Sequence, residues 1–135
     1  MLSQNCRPMV TIPFRIKREF IQLHPEYNFV FPHNFWENTW VGPSAECKDL
    51  SNCFGVPVRW KLCKSSGYFS DTQETAIMKK IDEMIARIPS DKPVILFPKI
   101  GNGDSRMHIF APKCYKYLHD KLAAIAHPVK YDYYA

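Results

Sequence analysis

The chain lacks several patterns that would have fixed its class at once. No apolar run in its 135 residues approaches the roughly 20 needed to span a bilayer, so no membrane partner is expected. The opening Met1-Leu2-Ser3-Gln4-Asn5-Cys6-Arg7-Pro8 has no apolar core of the kind a secretory signal carries. A soluble, cytoplasmic protein is expected. The five cysteines, Cys6, Cys47, Cys53, Cys63 and Cys114, are odd in number and form no C-x-x-C pair. That argues against a disulfide framework and a paired-cysteine zinc site, and leaves reduced thiols. No H-E-x-x-H motif joins the five histidines, and neither a structural metal nor a cofactor is expected. Repeats and low-complexity tracts are missing too. The length suits one domain, residues 1–135, with residues 127–135 as an aromatic tail packed on it. No oligomeric state follows from the pattern.

What is present begins with composition. Hydrophobic residues make up 46% of the chain, enough for a real core. The formal charge is +5 and the isoelectric point about 9.0, which suits a polyanionic partner such as nucleic acid or a phosphate-bearing small ligand. The basic residues are scattered rather than gathered in a stripe.

One stretch organises the rest. Val94-Ile95-Leu96-Phe97 is a short continuous apolar run between Pro93 and Pro98, the pattern of a strand covered on both faces. Gly101 and Gly103 follow, where the backbone can turn sharply and a ligand can approach amides. A helix opens at Ala111-Pro112 and runs to about Ala126. Strand, glycine loop and helix in that order form the usual layout of a site in an α/β sheet.

Upstream, Thr11 to Phe14 reads as an edge strand and Arg15 to Leu23 as a short amphipathic helix. Asn28 to Phe31 reads as a strand stopped by Pro32. The loop from His33 to Ser44 carries Phe35, Trp36 and Trp40, rings that either pack on the core or stack on a base. Phe54 to Trp60 reads as a strand on which Pro57 demands an edge or a bulge. Ser70 and Gln73 have the spacing of a capping box, and Ile77, Ile81, Met84, Ile85 and Ile88 form one apolar stripe behind it.

These motifs together resemble an uncharacterised family of small phage and bacterial proteins related to macro domains. The resemblance runs from about Arg18 to Leu122. Phe31 and Asn34 match its F-G-D-N block, and Gly42 and Ala45 its G-G-Q-A block. Asp49, Asn52, Gly55 and Pro57 match the next block; Tyr68, Phe69 and Asp71 match Y-F-x-D. Phe97, Pro98, Lys99, Gly101 and Gly103 match F-P-x-x-G-x-G, and Ala111-Pro112 matches the A-P that follows. Pro32 and Pro43 stand where the family has donors, and Ser105-Arg106-Met107 replaces Gly-Leu-Ala. The resemblance implies a three-layer, Rossmann-like or macro-like α/β sandwich with a mixed central sheet. It implies a nucleotide-type ligand and a part in phage–host conflict.

The candidate site then gathers His33, Asn34, Asn52 and the loop of Lys99, Gly101, Asn102, Gly103 and Arg106. Asn34 offers donor and acceptor to a ribose or base edge, and the loop amides and Arg106 suit a phosphate. Phe35 and Trp36 would stack on a base. Asp71 or Asp49 could stabilise the oxocarbenium-like sugar formed when an N-glycosidic bond breaks, with His33 as acid. Asp71 equally suits the first turn of a helix. Two classes remain: a hydrolase of nucleotide glycosides, of DNA-glycosylase or ADP-ribose type, and a non-catalytic module that binds or sequesters a nucleotide or a host protein. Either requires the strands of Phe31 and Phe97 to be neighbours opening on one rim.

Overall fold

The computed structural model describes residues 9–62 and 66–134, so Cys6 and Cys63 lie outside it. In chain order it has β1 (Val10–Pro13), α1 (Arg18–Leu23), β2 (Asn28–Asn34), α2 (Pro43–Cys47) and β3 (Cys53–Arg59). A 3-10 turn at Asp71–Gln73 leads into α3 (Glu74–Ala86), followed by β4 (Val94–Leu96), α4 (Met107–Phe110), α5 (Pro112–Ile125) and β5 (Val129–Asp132). No described helix is long and apolar enough to cross a membrane.

β2 pairs in parallel with β3 on one side and β4 on the other, and β1 pairs in parallel with β5. A single parallel bridge, Val94 to Ala126, joins the two sheets, and the His127 N–H donates to the Val94 carbonyl at 2.8 Å. The parallel sheets β3-β2-β4 and β5-β1 thus adjoin where Val94 meets Ala126, just before β5. In the larger sheet the chain steps one way from β2 to β3, then reverses to β4. Right-handed crossovers put α1 and α2 on one face and α3 and α5 on the other. The packing agrees, since α1 contacts α2 and α3 contacts α5. The α/β class is as expected. The mixture of strand directions is confined to one antiparallel bridge, Arg59 to Tyr68.

β2 lies at the centre, with Phe29 and Val30 fully buried, because helices cover both of its faces. Ile77, Ile81 and Met84 of α3 and Cys114, Leu118 and Leu122 of α5 bury one stripe each against the sheet.

Four local readings change. β2 does not stop at Pro32. The Asn28 N–H donates to Pro93 and the Val30 carbonyl accepts from Phe97, so every second residue faces β4, and Pro32 faces the place where β4 has already ended. Its missing N–H therefore breaks no ladder. The capping box does not close: Ser70 Oγ accepts from Thr72 N, while the Gln73 side chain accepts from Trp60 Nε1. The short helix α4 precedes the expected one. The tail supplies β5, whose Tyr131 hydroxyl donates to the Leu96 carbonyl.

Asp71 takes the role of a cap. Its carboxylate accepts the backbone N–H groups of Lys113 (3.0 Å) and Cys114 (3.1 Å), free donors in the first turn of α5. Partial desolvation pushes its pKa up, but those two N–H groups outweigh it and hold the carboxyl below its usual range. Asp71→Ala should cost about 1 kcal/mol in denaturant unfolding, the worth of a helix cap. That contribution is present above the unfolded carboxyl pKa of about 4 and disappears as pH falls through the depressed folded value. Wild type and variant should therefore converge in stability in acid.

Candidate functional site

The unequal lengths of β2 and β4 open a cleft. Phe97 N donates to Val30 O at 2.8 Å and is the last rung between these strands. Beyond it β2 continues to Asn34 while the chain after β4 turns away through Pro98. The gap widens into a cavity of about 950 Å³, at the upper end of the range for small-molecule sites. Pro32, His33 and Asn34 line it from β2, and Phe97, Pro98 and Lys99 from the other side. The segments after β1, β2, β3 and β4 all reach it. Connections leave β2 and β4 toward opposite faces, so the cleft sits where the winding of the sheet reverses, the usual ligand position in such folds.

Charge distinguishes this opening. Arg15, Lys17, Arg59, Lys99 and Arg106 line it against two acids, Glu46 and Asp104. Glu46 Oε1 already accepts the Arg18 backbone N–H at 2.8 Å. None of the five cations forms an ion pair among the described residues. Lys99 and Arg106 also hold left-handed backbone, with φ of 61° and 52°. Non-glycine residues adopt that region at a cost and keep it only where the surroundings enforce it.

The enforcement is visible. Gly101 has φ +85°, and a Cβ there would lie 2.9 Å from the Tyr115 ring. His119 Nε2 bonds the Ile100 carbonyl at 2.6 Å, and the His108 backbone N–H donates to the Gly101 carbonyl at 3.1 Å. The carbonyl has no proton to give, so His119 carries its own on Nε2. These two histidines pin the loop that presents Lys99 and Arg106.

His33 and Asn34 form the floor, each 4% exposed. Asn34 Nδ2 donates to the Thr39 carbonyl at 2.8 Å, which fixes the amide and leaves Oδ1 as an acceptor. His33 packs 4.3 Å from Trp40 and 5.3 Å from Phe31 between ring centroids. Neither ring nitrogen has a partner among the described residues. Burial pushes its pKa down to about 4, against a small upward pull from Glu37. His33 is therefore neutral at pH 7 and suited to hydrogen bonding rather than to delivering a proton.

The cleft thus brings together His33, Asn34, Lys99, Gly103 and Arg106. The other expected residues stand elsewhere. Asn52 Nδ2 donates to the carbonyls of Ile21, His24 and Tyr27, tying α1 to β2. Asp49 is exposed in a left-handed turn after α2, φ 64°. Asp71 caps α5. Gly101 is buried behind the loop and Asn102 is exposed on it, and neither lines the opening. Phe35 packs on Trp60, 4.5 Å between centroids, and Trp36 lies on the outer side of that pair. The sequence alone did not mark Arg15, Lys17 and Arg59: the first two follow β1 and the third ends β3, more than 40 residues later, and they converge because these parallel strands end at one rim.

A family model described as a family of unknown function (DUF7831) matches residues 12–121. The chain belongs to the DUF7831 family. The matched span takes in every segment that lines the cleft of this DUF7831 chain. The expected kinship is thereby supported as membership of a family without assigned function, and the match carries no macro-domain relationship. No curated protein and no solved structure matches the chain.

Two outcomes test this geometry. Gly101→Ala should destabilise the protein by roughly 1–3 kcal/mol, since it adds both left-handed strain and a clash with Tyr115. Thermal melting against the wild type measures it. Because the folded pKa of His33 lies below its unfolded value of about 6.5, its neutral burial favours the fold fully above that pH. Stability should fall as pH drops from about 6.5 toward 4, and His33→Leu should flatten that part of the profile.

Proposed function

We propose that the cleft binds a nucleotide-type ligand through its phosphate groups. The observation that carries this is the set of five cations that form no ion pair among the described residues around an opening of about 950 Å³. Like charges gathered on one rim repel each other, and an anion removes that cost. Arginine forks in particular match phosphate oxygens in pairs. At the floor, Asn34 Oδ1 suits a ribose hydroxyl or an exocyclic amino group. Gly103 lets the ligand approach the loop backbone closely. A macro-type kinship would place phosphates at this same loop; in this chain Lys99, Gly103 and Arg106 on the cleft wall support that placement.

A second reading adds hydrolysis of the ligand's N-glycosidic bond. Its support is Asp104, a cleft carboxylate that forms no ion pair among the described residues. A carboxylate there suits a developing sugar cation.

Calorimetric titration with adenosine monophosphate and ADP-ribose tests the binding. Both should bind, with affinity falling as salt rises. Replacing Lys99 and Arg106 together by alanine should weaken binding tenfold or more, since each charge-assisted contact is worth roughly 1.5–3 kcal/mol. Binding of unphosphorylated adenosine with equal affinity would remove the phosphate reading. Release of free base that disappears in Asp104→Asn would make the protein a hydrolase; binding without release would make it a sequestering module.

A further inference from the structure

The rim carries a second feature that a single nucleotide in the cleft leaves unused. Trp36 is 53% exposed, although tryptophan is among the residues with most to gain from burial. Its ring lies 5.7 Å from Trp60, centroid to centroid, and the Lys61 ammonium stands 5.9 Å over its face. Phe35 backs Trp60, and Lys80 Nζ lies 5.4 Å from the Phe35 ring. Trp60 Nε1 donates to Gln73 Oε1 at 2.9 Å, which fixes that indole. The neighbouring carboxylate, Glu37, is held by Lys80 and Arg87 at 3.2 and 2.8 Å. The shelf follows the cleft along the chain: Asn34 and Arg59 line the cleft, and Phe35, Trp36, Trp60 and Lys61 come directly after them.

We infer that the shelf is a stacking platform for a second base, so that the nucleotide in the cleft belongs to a single-stranded nucleic acid. The inference rests on the nucleotide reading of the cleft and names its substrate class. An aromatic face with a lysine beside it offers what each unit of a single strand presents, a flat base and a phosphate charge. Lys61 can turn to the phosphate while the base takes its place over Trp36. A duplex hides its base faces in the stack and cannot use the platform. A protein partner would be better served by an apolar patch without a cation over each ring.

The test uses the full chain and a fluorescein-labelled single-stranded DNA twelve-mer of mixed sequence, followed by anisotropy, with the same sequence as a duplex and the four mononucleotides as competitors. The single strand should bind at least tenfold tighter than any mononucleotide and tighter than the duplex. Trp36→Ala should weaken the single strand by roughly five- to a hundredfold, the worth of one stacked base, and leave mononucleotide affinity unchanged. Trp36→Phe should restore most of the loss, and unaltered melting of both variants shows that the fold is intact. Mononucleotides binding as tightly as the twelve-mer, equal binding of duplex and single strand, or no effect of Trp36→Ala would each overturn the shelf while leaving the cleft reading in place. Failure of every nucleotide to bind overturns both.

Discussion

The hydrogen bond from Phe97 N to Val30 O is the last one between the two central strands, and the site depends on its being the last. One proline enforces this. Pro32 stands two residues beyond Val30 and, by the alternation of a strand, faces the gap, so the next rung, a donor from β2 to the Phe97 carbonyl, is missing. Lys99, the next residue on the other side to face β2, sits in left-handed backbone and turns the chain away. β2 goes on only because β3 still pairs with it on the far side, out to Asn34 and Arg59. A parallel sheet that closes on one side of its central strand and parts on the other acquires a crevice at its carboxyl rim.

Charge is then distributed unequally around that crevice. Several acids are committed to holding the fold. Asp71 caps α5, Glu46 accepts the Arg18 amide, Glu37 holds Lys80 and Arg87, and Asp82 accepts the Tyr117 hydroxyl and lies 3.7 Å from Lys121. Among the described residues the cations at the rim form no ion pair. The same surroundings keep His33 neutral: burial comes first, and the nearby Lys80 charge adds to it against Glu37. A floor that is polar and uncharged therefore lies beneath a cationic rim.

Much of this was legible in the residue order. The apolar run at Val94–Phe97, the stripe of α3 and the edge or bulge that Pro57 demands follow from local pattern, and the site reading required the loops after Phe31 and Phe97 to meet. What was not legible depends on partners far away. Pro32 looks like a strand end because the rule concerns which way its nitrogen faces, and only the register with β4 decides that. β5 hides in the short Val129–Asp132 segment because its partner, β1, lies at the other end of the chain. Asp71 carries the same letters whether it cleaves a glycoside or caps a helix, and the N–H groups that settle its role come 42 and 43 residues later. Scattered basic residues read as a solvated surface until a parallel sheet delivers each strand end to one rim.

The cleft and the aromatic shelf share one cause. β3 carries an extra residue, Val58, between the pairs His33–Pro57 and Asn34–Arg59. In a regular strand His33 and Asn34 would point to opposite faces, and so would Val58 and Arg59. The bulge twists both strands locally, and all four residues line the cleft. Past it the two chains still run side by side, with Phe35 N donating to Arg59 O at 2.6 Å and Trp36 N to Trp60 O at 3.4 Å. The two tryptophans are thereby held together directly after the cleft residues Asn34 and Arg59. The cleft and the shelf are built by the same ribbon. Their spacing is set by backbone pairing rather than by flexible side chains.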